Sequence, residues 1–155
     1  MILDVRLEKY SPMTKPALHR IRIVLAIALG IPFIMIGVDH FLRPAPFDAI
    51  VPAYLGFPRF WTLASGVLEV LLGIGIMLPS FRRWAALCLA VFLVCVYPAN
   101  LNMWLNDIPF NGHVLSHKAH LLRLVIQLLL ICLALWLADW RKGPTRKAAV
   151  ISNED

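Results

Sequence analysis

The stretch LASGVLEVLLGIGIML, residues 63–78, decides the fold. It is apolar almost throughout and carries one ionisable group, Glu69, near its middle. With its flanks, FWTLASGVLEVLLGIGIMLPSF (60–81), it reaches the length of about 20 mostly apolar residues that crosses a bilayer. Three further segments meet the same rule: IRIVLAIALGIPFIMIGVDHF (21–41), WAALCLAVFLVCVYPANLNMW (84–104) and HLLRLVIQLLLICLALWLADW (120–140). Together they predict an all-α, membrane-embedded four-helix bundle spanning residues 21–140. An N-terminal segment (1–20) and a C-terminal tail (141–155) are expected to flank it on the cytoplasmic side.

Composition agrees. Hydrophobic residues make up 60% of the chain and charged ones 15%, against roughly half and a quarter in an ordinary soluble domain. The net charge of +6 would suit nucleic acid, but its carriers sit beside the apolar spans, so topology explains them and no nucleic-acid partner is expected. Arg6, Lys9, Lys15 and Arg20 precede the first span and Arg22 lies at its start; Arg82 and Arg83 lie between the second and third; Arg141, Lys142, Arg146 and Lys147 follow the fourth. The other side carries only Arg43, Arg59 and Lys118. Cytoplasmic loops are the ones enriched in Lys and Arg, which places both termini inside. The first span lacks a small-residue cleavage site and reads as a retained anchor. Trp61, Trp84, Trp104, Trp136 and Trp140 fall at or near span ends, where interfacial anchors belong. Cys88, Cys95 and Cys132 form no C-x-x-C pair and read as small buried hydrophobes.

The connection LRPAPFDAIVPAYLGFPR (42–59) contains four prolines and several large apolar side chains. It is too apolar for a solvated loop, so an interfacial cap over the bundle mouth is expected, with a short helix started by Pro46.

Depth then sorts the polar residues. At 1.5 Å per helical residue, Glu69 lies roughly 13 Å below the outer end of its span, Gln127 about 12 Å, and Arg123 and Asn100 about 6 Å. Asp39 and His40 close the first span at the same side. The polar groups of the spans therefore gather in the outer half. A charge at the bilayer centre costs about 2.5–3.5 kcal/mol on insertion scales and should face the interior and a partner. The spacing predicts that Glu69, Asn100, Arg123 and Gln127 point at one another, with Arg123 reaching toward Glu69 or snorkelling outward. Two roles fit this cluster: polar glue between helices, or a site for a ligand or a proton. Ser65, Gly66, Glu69 and Gly73 share a stripe of the second span; Gly30 and Gly37 mark a similar face of the first, and small residues there let helices approach closely. Pro32 and Pro98 are expected to kink their spans, and Pro98 leaves the Val94 carbonyl without its helical donor.

In GHVLSHKAH (112–120), His113, His117 and His120 have i, i+4, i+7 spacing and would share a helical face able to bind a transition metal if the helix began early enough. Asn111-Gly112 argues for a turn instead, so no metal site is assigned.

Four stretches together resemble the DoxX-like family of small membrane proteins: GVDHFLRPAPFDAIVPAYL (37–55), SGVLEVLLGIGIMLPSFRRWAALCLA (65–90), YPANLNM (97–103) and RLVIQLLLI (123–131). The resemblance implies a four-helix bundle. It aligns the family's recurring segments with Ser65, Gly66 and Glu69; with Pro98, Ala99 and Asn100; and with Arg123, Leu124 and Gln127. His40 and Pro44 match the motif closing the first span. By this resemblance the chain is expected to be a quinone-linked oxidoreductase component of a bacterial inner membrane. Glu69 and Arg123 would be the catalytic pair, and His40, Ser65, Asn100 and Gln127 the ligand-binding residues. No flavin, haem or iron–sulfur motif is evident, so a quinone would be the cofactor and a partner subunit would supply electrons. The alternative is a non-enzymatic binder of lipid or small amphiphiles, or a membrane-protein assembly factor. The sequence leaves oligomeric state and ligand open.

Overall fold

The computed structural model describes residues 15–138; the expected N-terminal segment up to residue 14 and the tail from residue 139 lie outside the described residues. The elements are α1 (Lys15–Leu42), α2 (Pro44–Ile50), a 3-10 turn (Ala53–Leu55), α3 (Pro58–Met77), α4 (Arg82–Leu105) and α5 (His117–Leu137). α1, α3, α4 and α5 are long and apolar enough to cross a membrane, and the chain is an all-α four-helix bundle of integral membrane type. Its exterior supports this. Val24, Met35, Leu71, Val91 and Leu129 all face outward along the helices, the pattern of a surface solvated by lipid. The three cysteines are all exposed rather than buried as the sequence predicts: Cys88 and Cys132 on this surface, where the apolar solvent lies outside the bundle, and Cys95 along the interior cavity.

Helix boundaries move modestly. α1 starts before residue 21, and α3 stops at Met77 rather than near 81. There Arg82 closes the α3–α4 turn: its Nε donates to the Ile76 carbonyl at 2.9 Å and its Nη2 to the Met77 carbonyl at 3.2 Å. These are the carbonyls a helix end leaves without partners, and a cation suits that end of the dipole. α1 and α4 run through Pro32 and Pro98 without a break.

α1 and α3 form the closest pair. A Cβ on Gly30 would lie 2.6 Å from the Gly73 carbonyl oxygen, and a Cβ on Gly73 would lie 2.7 Å from that of Gly30. One register step along, Gly37 and Gly66 stand in the same relation, at 2.7 and 2.9 Å. Backbone therefore meets backbone at two points seven residues apart on each antiparallel helix. The remaining helices follow in sequence, α3 against α4 and α4 against α5. α1 and α5 do not pack closely along their length; near one end the Arg22 guanidinium lies over the Trp136 ring at 5.2 Å.

The bundle interior is split along its axis. At the end away from α2, Ala26, Leu29, Ile76, Ala86, Leu89 and Ala134 pack into a close apolar core. At the α2 end the interior is hollow, with a few polar side chains set in an apolar lining. α2 roofs it and is held on both sides. Asn102 Nδ2 donates to the Ile50 carbonyl at 2.9 Å, and Arg59 donates to Asp48 Oδ2 through Nε at 2.9 Å. The helix begins at Pro44, two residues before the expected start, and prolines fill the first-turn positions where a missing N–H costs nothing.

Gly73→Ala should lower thermal stability in detergent by about 1–3 kcal/mol, since the added methyl meets backbone that cannot turn aside. The helix-propensity gain of about 1 kcal/mol does not offset this. Leu129→Ala, on the lipid-facing surface, should change it far less.

Candidate functional site

All six residues singled out as site candidates line one cavity. It has a volume of about 580 Å³ and is walled by α1, α3, α4 and α5 beneath the α2 roof. His40, Ser65 and Glu69 stand on the α1–α3 wall; Asn100, Arg123 and Gln127 stand on the α4–α5 wall. Most of the remaining lining is apolar, including Phe33, Ile36, Phe92 and Leu130.

The α1–α3 wall is built on the glycine contact. A Cβ on Gly66 would fall 2.7 Å from the His40 Cβ, so the missing side chain is what admits His40 between the helices. The imidazole is buried. Its Nδ1 lies 2.8 Å from the Thr62 carbonyl oxygen and 3.0 Å from Ser65 Oγ. Ser65 Oγ donates to the same carbonyl at 2.9 Å. The opposite ring nitrogen, Nε2, lies 3.6 Å from Glu69 Oε2. The Phe47 ring from α2 covers the imidazole, centroid to centroid 3.7 Å. Glu69 is buried, and its Oε2 has no hydrogen-bond partner.

The α4–α5 wall is a line of donors running one way. Arg123 Nη2 donates to Asn100 Oδ1 at 2.7 Å. Asn100 Nδ2 donates to Gln127 Oε1 at 3.0 Å. Gln127 Nε2 donates to the Leu93 carbonyl at 2.5 Å. The last acceptor lies one residue before the Val94 carbonyl singled out from Pro98. Arg123 Nη1 also approaches Met103 Sδ at 3.4 Å.

The predicted convergence of four residues is thus corrected. Asn100, Arg123 and Gln127 do join, but Glu69 joins His40 instead, and among the described residues Arg123 forms no ion pair with it. The reason is register. Gly37 against Gly66 draws α1 so close to α3 that the imidazole reaches Glu69 first, while Arg123 is engaged by Asn100 from the neighbouring helix. The sequence reading missed three contributors. Thr62 acts through its backbone carbonyl and Phe47 through its ring face, neither of which has a sequence signature. Asn102 does carry one, a polar amide in an apolar run, but it sits two residues from Asn100 and so on another helix face.

The histidine triplet does not form one helical face. Asn111 and Gly112 take positive φ values of 52° and 82° and close a tight turn in which Phe110 pairs with His113. Asn-Gly is the favoured pair for such a turn. α5 then starts at His117, capped by Ser116 Oγ, which accepts from the Ala119 N–H. His117 Nδ1 accepts from Trp104 Nε1 at 2.9 Å, and the His120 ring stacks on Trp104.

In the cap, burial alone would push the Asp48 carboxyl up, but the hydrogen bond and the charge of Arg59 hold it below the usual carboxylate range. Asp39 is taken by Arg43, one turn on along the chain.

Residues 29–138 match a family model described as Domain of unknown function (DUF8561), and the chain belongs to that family. Comparison with curated proteins and with solved structures gave no match.

Asn100→Ala leaves Arg123 Nη2 and Gln127 Oε1 without partners and should lower stability in detergent by about 1–3 kcal/mol. Asn106→Ala, at the exposed end of α4, should have little effect. The depressed Asp48 carboxyl stabilises the cap above the unfolded aspartate pKa of about 4, and that contribution is lost as pH falls through the lower folded value. Trp61 Nε1 bonds the Leu55 carbonyl in this cap at 3.4 Å. Its fluorescence should therefore shift on acidification below about pH 4, and at higher pH in Arg59→Gln.

Proposed function

We propose that this DUF8561 protein binds a lipid-borne amphiphile bearing oxygen acceptors, with a quinone as the ligand, and that it serves as the quinone-binding component of a membrane oxidoreductase. The observation that carries this reading is the cavity itself. Its volume of about 580 Å³ falls within the range of small-molecule sites, about 300–1,000 Å³, which are mostly apolar with a few convergent polar groups. Hydrogen-bonding groups on two different helix pairs suit a head group with oxygens at two positions, and the apolar lining suits a ring and a tail.

Access fits a ligand dissolved in lipid. α1 and α5 are the two neighbours that do not pack closely, and each contributes an exposed isoleucine, Ile36 and Ile126, to the cavity lining. A gap between them would open the cavity sideways to the bilayer, so that a tail could remain among lipid chains while the head group enters. A bound quinone would supply reversible two-electron chemistry. Arg123 would donate to one head-group oxygen, and the His40–Glu69 side would serve the other. The orphaned Glu69 Oε2 supports this assignment, because a buried polar atom without a partner is costly unless something else meets it. Electrons would come from a partner subunit. Arg20, Arg22, Arg82 and Arg83 lie at the end away from α2, which supports a topology with that end cytoplasmic and the cavity in the outer half of a bacterial inner membrane. The resemblance of the 65–69, 98–100 and 123–127 segments to the DoxX-like family supports the same reading.

Protein purified in mild detergent and extracted with organic solvent should yield close to one quinone per chain by mass spectrometry. Arg123→Ala should reduce that yield about tenfold. A phospholipid at stoichiometric amount, with no quinone, would replace this reading with that of a lipid-binding or assembly protein.

A further inference from the structure

We infer that His40 and Glu69 hold one proton between them, which makes this pair a hydrogen-bond donor to the ligand and leaves Arg123 as the net charge of the cavity. The inference rests on the cavity being a ligand site, but its first premise concerns the protein alone.

The tautomer follows from what surrounds Nδ1. A backbone carbonyl oxygen only accepts, so His40 Nδ1, at 2.8 Å from the Thr62 carbonyl, must carry a hydrogen. Ser65 supports this. Its hydroxyl proton goes to the Thr62 carbonyl, which leaves its oxygen to accept from Nδ1 at 3.0 Å. With Nδ1 protonated, a neutral imidazole presents a bare lone pair at Nε2. That lone pair faces Glu69 Oε2 at 3.6 Å. Without a further proton, two acceptors would face each other in a buried site, one of them carrying a full negative charge. Such an arrangement is disfavoured by both desolvation and repulsion. One added proton removes both penalties, whether it resides on the carboxyl or on the ring. In either form the pair is neutral overall.

The groups around the pair do not change this count. On α1, Asp39 is engaged by Arg43. On α2, Asp48 is engaged by Arg59, and Phe47 presents only its ring. On α3, Thr62 and Ser65 are neutral. From α4 come Asn100 and the Cys95 thiol, from the segment after α2 the Tyr54 phenol, and from α5 Arg123 and Gln127. Arg123 meets only the neutral Asn100 and Met103 among the described residues.

Two consequences follow for the ligand. The 3.6 Å separation is longer than a hydrogen bond, so the shared proton is not committed and a ligand oxygen can take it as a hydrogen bond. The cavity also carries a net positive charge through Arg123, which favours a head group whose oxygens are electron-rich or anionic over a cationic one. As pH rises and the pair loses its proton, the donor disappears and a carboxylate repels that oxygen. Ligand affinity should therefore fall with rising pH.

The test has two independent arms. Nitrogen NMR of ligand-stripped, histidine-labelled protein should show His40 with Nδ1 protonated throughout, and the pair should release a single proton on titration with base. A ring protonated only at Nε2, or a pair that holds no proton or two at neutral pH, would overturn the inference whatever the ligand is. In the second arm, a short-chain quinone is titrated into wild type and Glu69→Gln in detergent. Wild-type affinity should drop at least about tenfold through the titration of the pair, and the variant should lose that dependence. Wild-type affinity that does not change through that titration would also overturn the inference. If the quinone fails to bind at any pH, the functional reading fails while the NMR arm still decides the proton count. If Glu69→Gln does not fold, the wild-type spectra and affinities are sufficient.

Discussion

A carboxyl group midway along an apolar helix is the constraint that organises this protein. Glu69 cannot face hydrocarbon without a large penalty, and one helix cannot shield it. Helices must therefore surround it with polar groups while leaving an apolar surface for lipid. The division of the interior reflects this. One end is close-packed and apolar, and the other is a chamber onto which His40, Ser65, Glu69, Asn100, Arg123 and Gln127 all open. The α2 roof closes the chamber end, tied to α3 through Asp48 and Arg59 and to α4 through Asn102.

The glycine contacts turn that constraint into a specific geometry. Gly37 and Gly66 bring two backbones together where a methyl group would not fit, and the space so freed is what His40 uses to reach Glu69. Packing and chemistry are thus set by the same residue pair. The opposite wall obeys a different logic. Arg123, Asn100 and Gln127 form a directed chain of hydrogen bonds ending on a backbone carbonyl, which fixes their orientation without consuming Glu69. Two separate half-sites facing one volume, one of them with the Glu69 Oε2 atom still unpartnered, differ from a single salt bridge. An Arg–Glu pair would close the interior, whereas separate half-sites leave room between them.

Much of this was legible in the residues. Four runs of apolar sequence gave the bundle, because length against bilayer thickness is a strong signal. Depth along each helix placed Glu69, Asn100, Arg123 and Gln127 in the same half of the bundle, and the Gly30/Gly37 and Gly66/Gly73 stripes pointed to a close helix pair. What sequence could not give was helix rotation and neighbour order, and on these the partner of Glu69 depends. His40 lies at the end of α1, and only the α1–α3 register shows that it reaches inward. The histidine triplet stays off a single helical face for the local reason legible in the residues: the Asn111–Gly112 turn, together with the Ser116 cap, sets the start of α5 after His113. Cys88 and Cys132 were misplaced because burial and apolarity separate when the solvent is lipid, and Cys95 because it lines a hollow.

The most direct measurement of the central claim is an experimental structure of the protein in lipid nanodiscs at a resolution that shows side chains and bound lipids. The account predicts the Glu69 carboxyl turned into the chamber beside His40, with ligand density between it and Arg123. A Glu69 side chain directed at the lipid, or an Arg123–Glu69 ion pair filling the chamber, would contradict it.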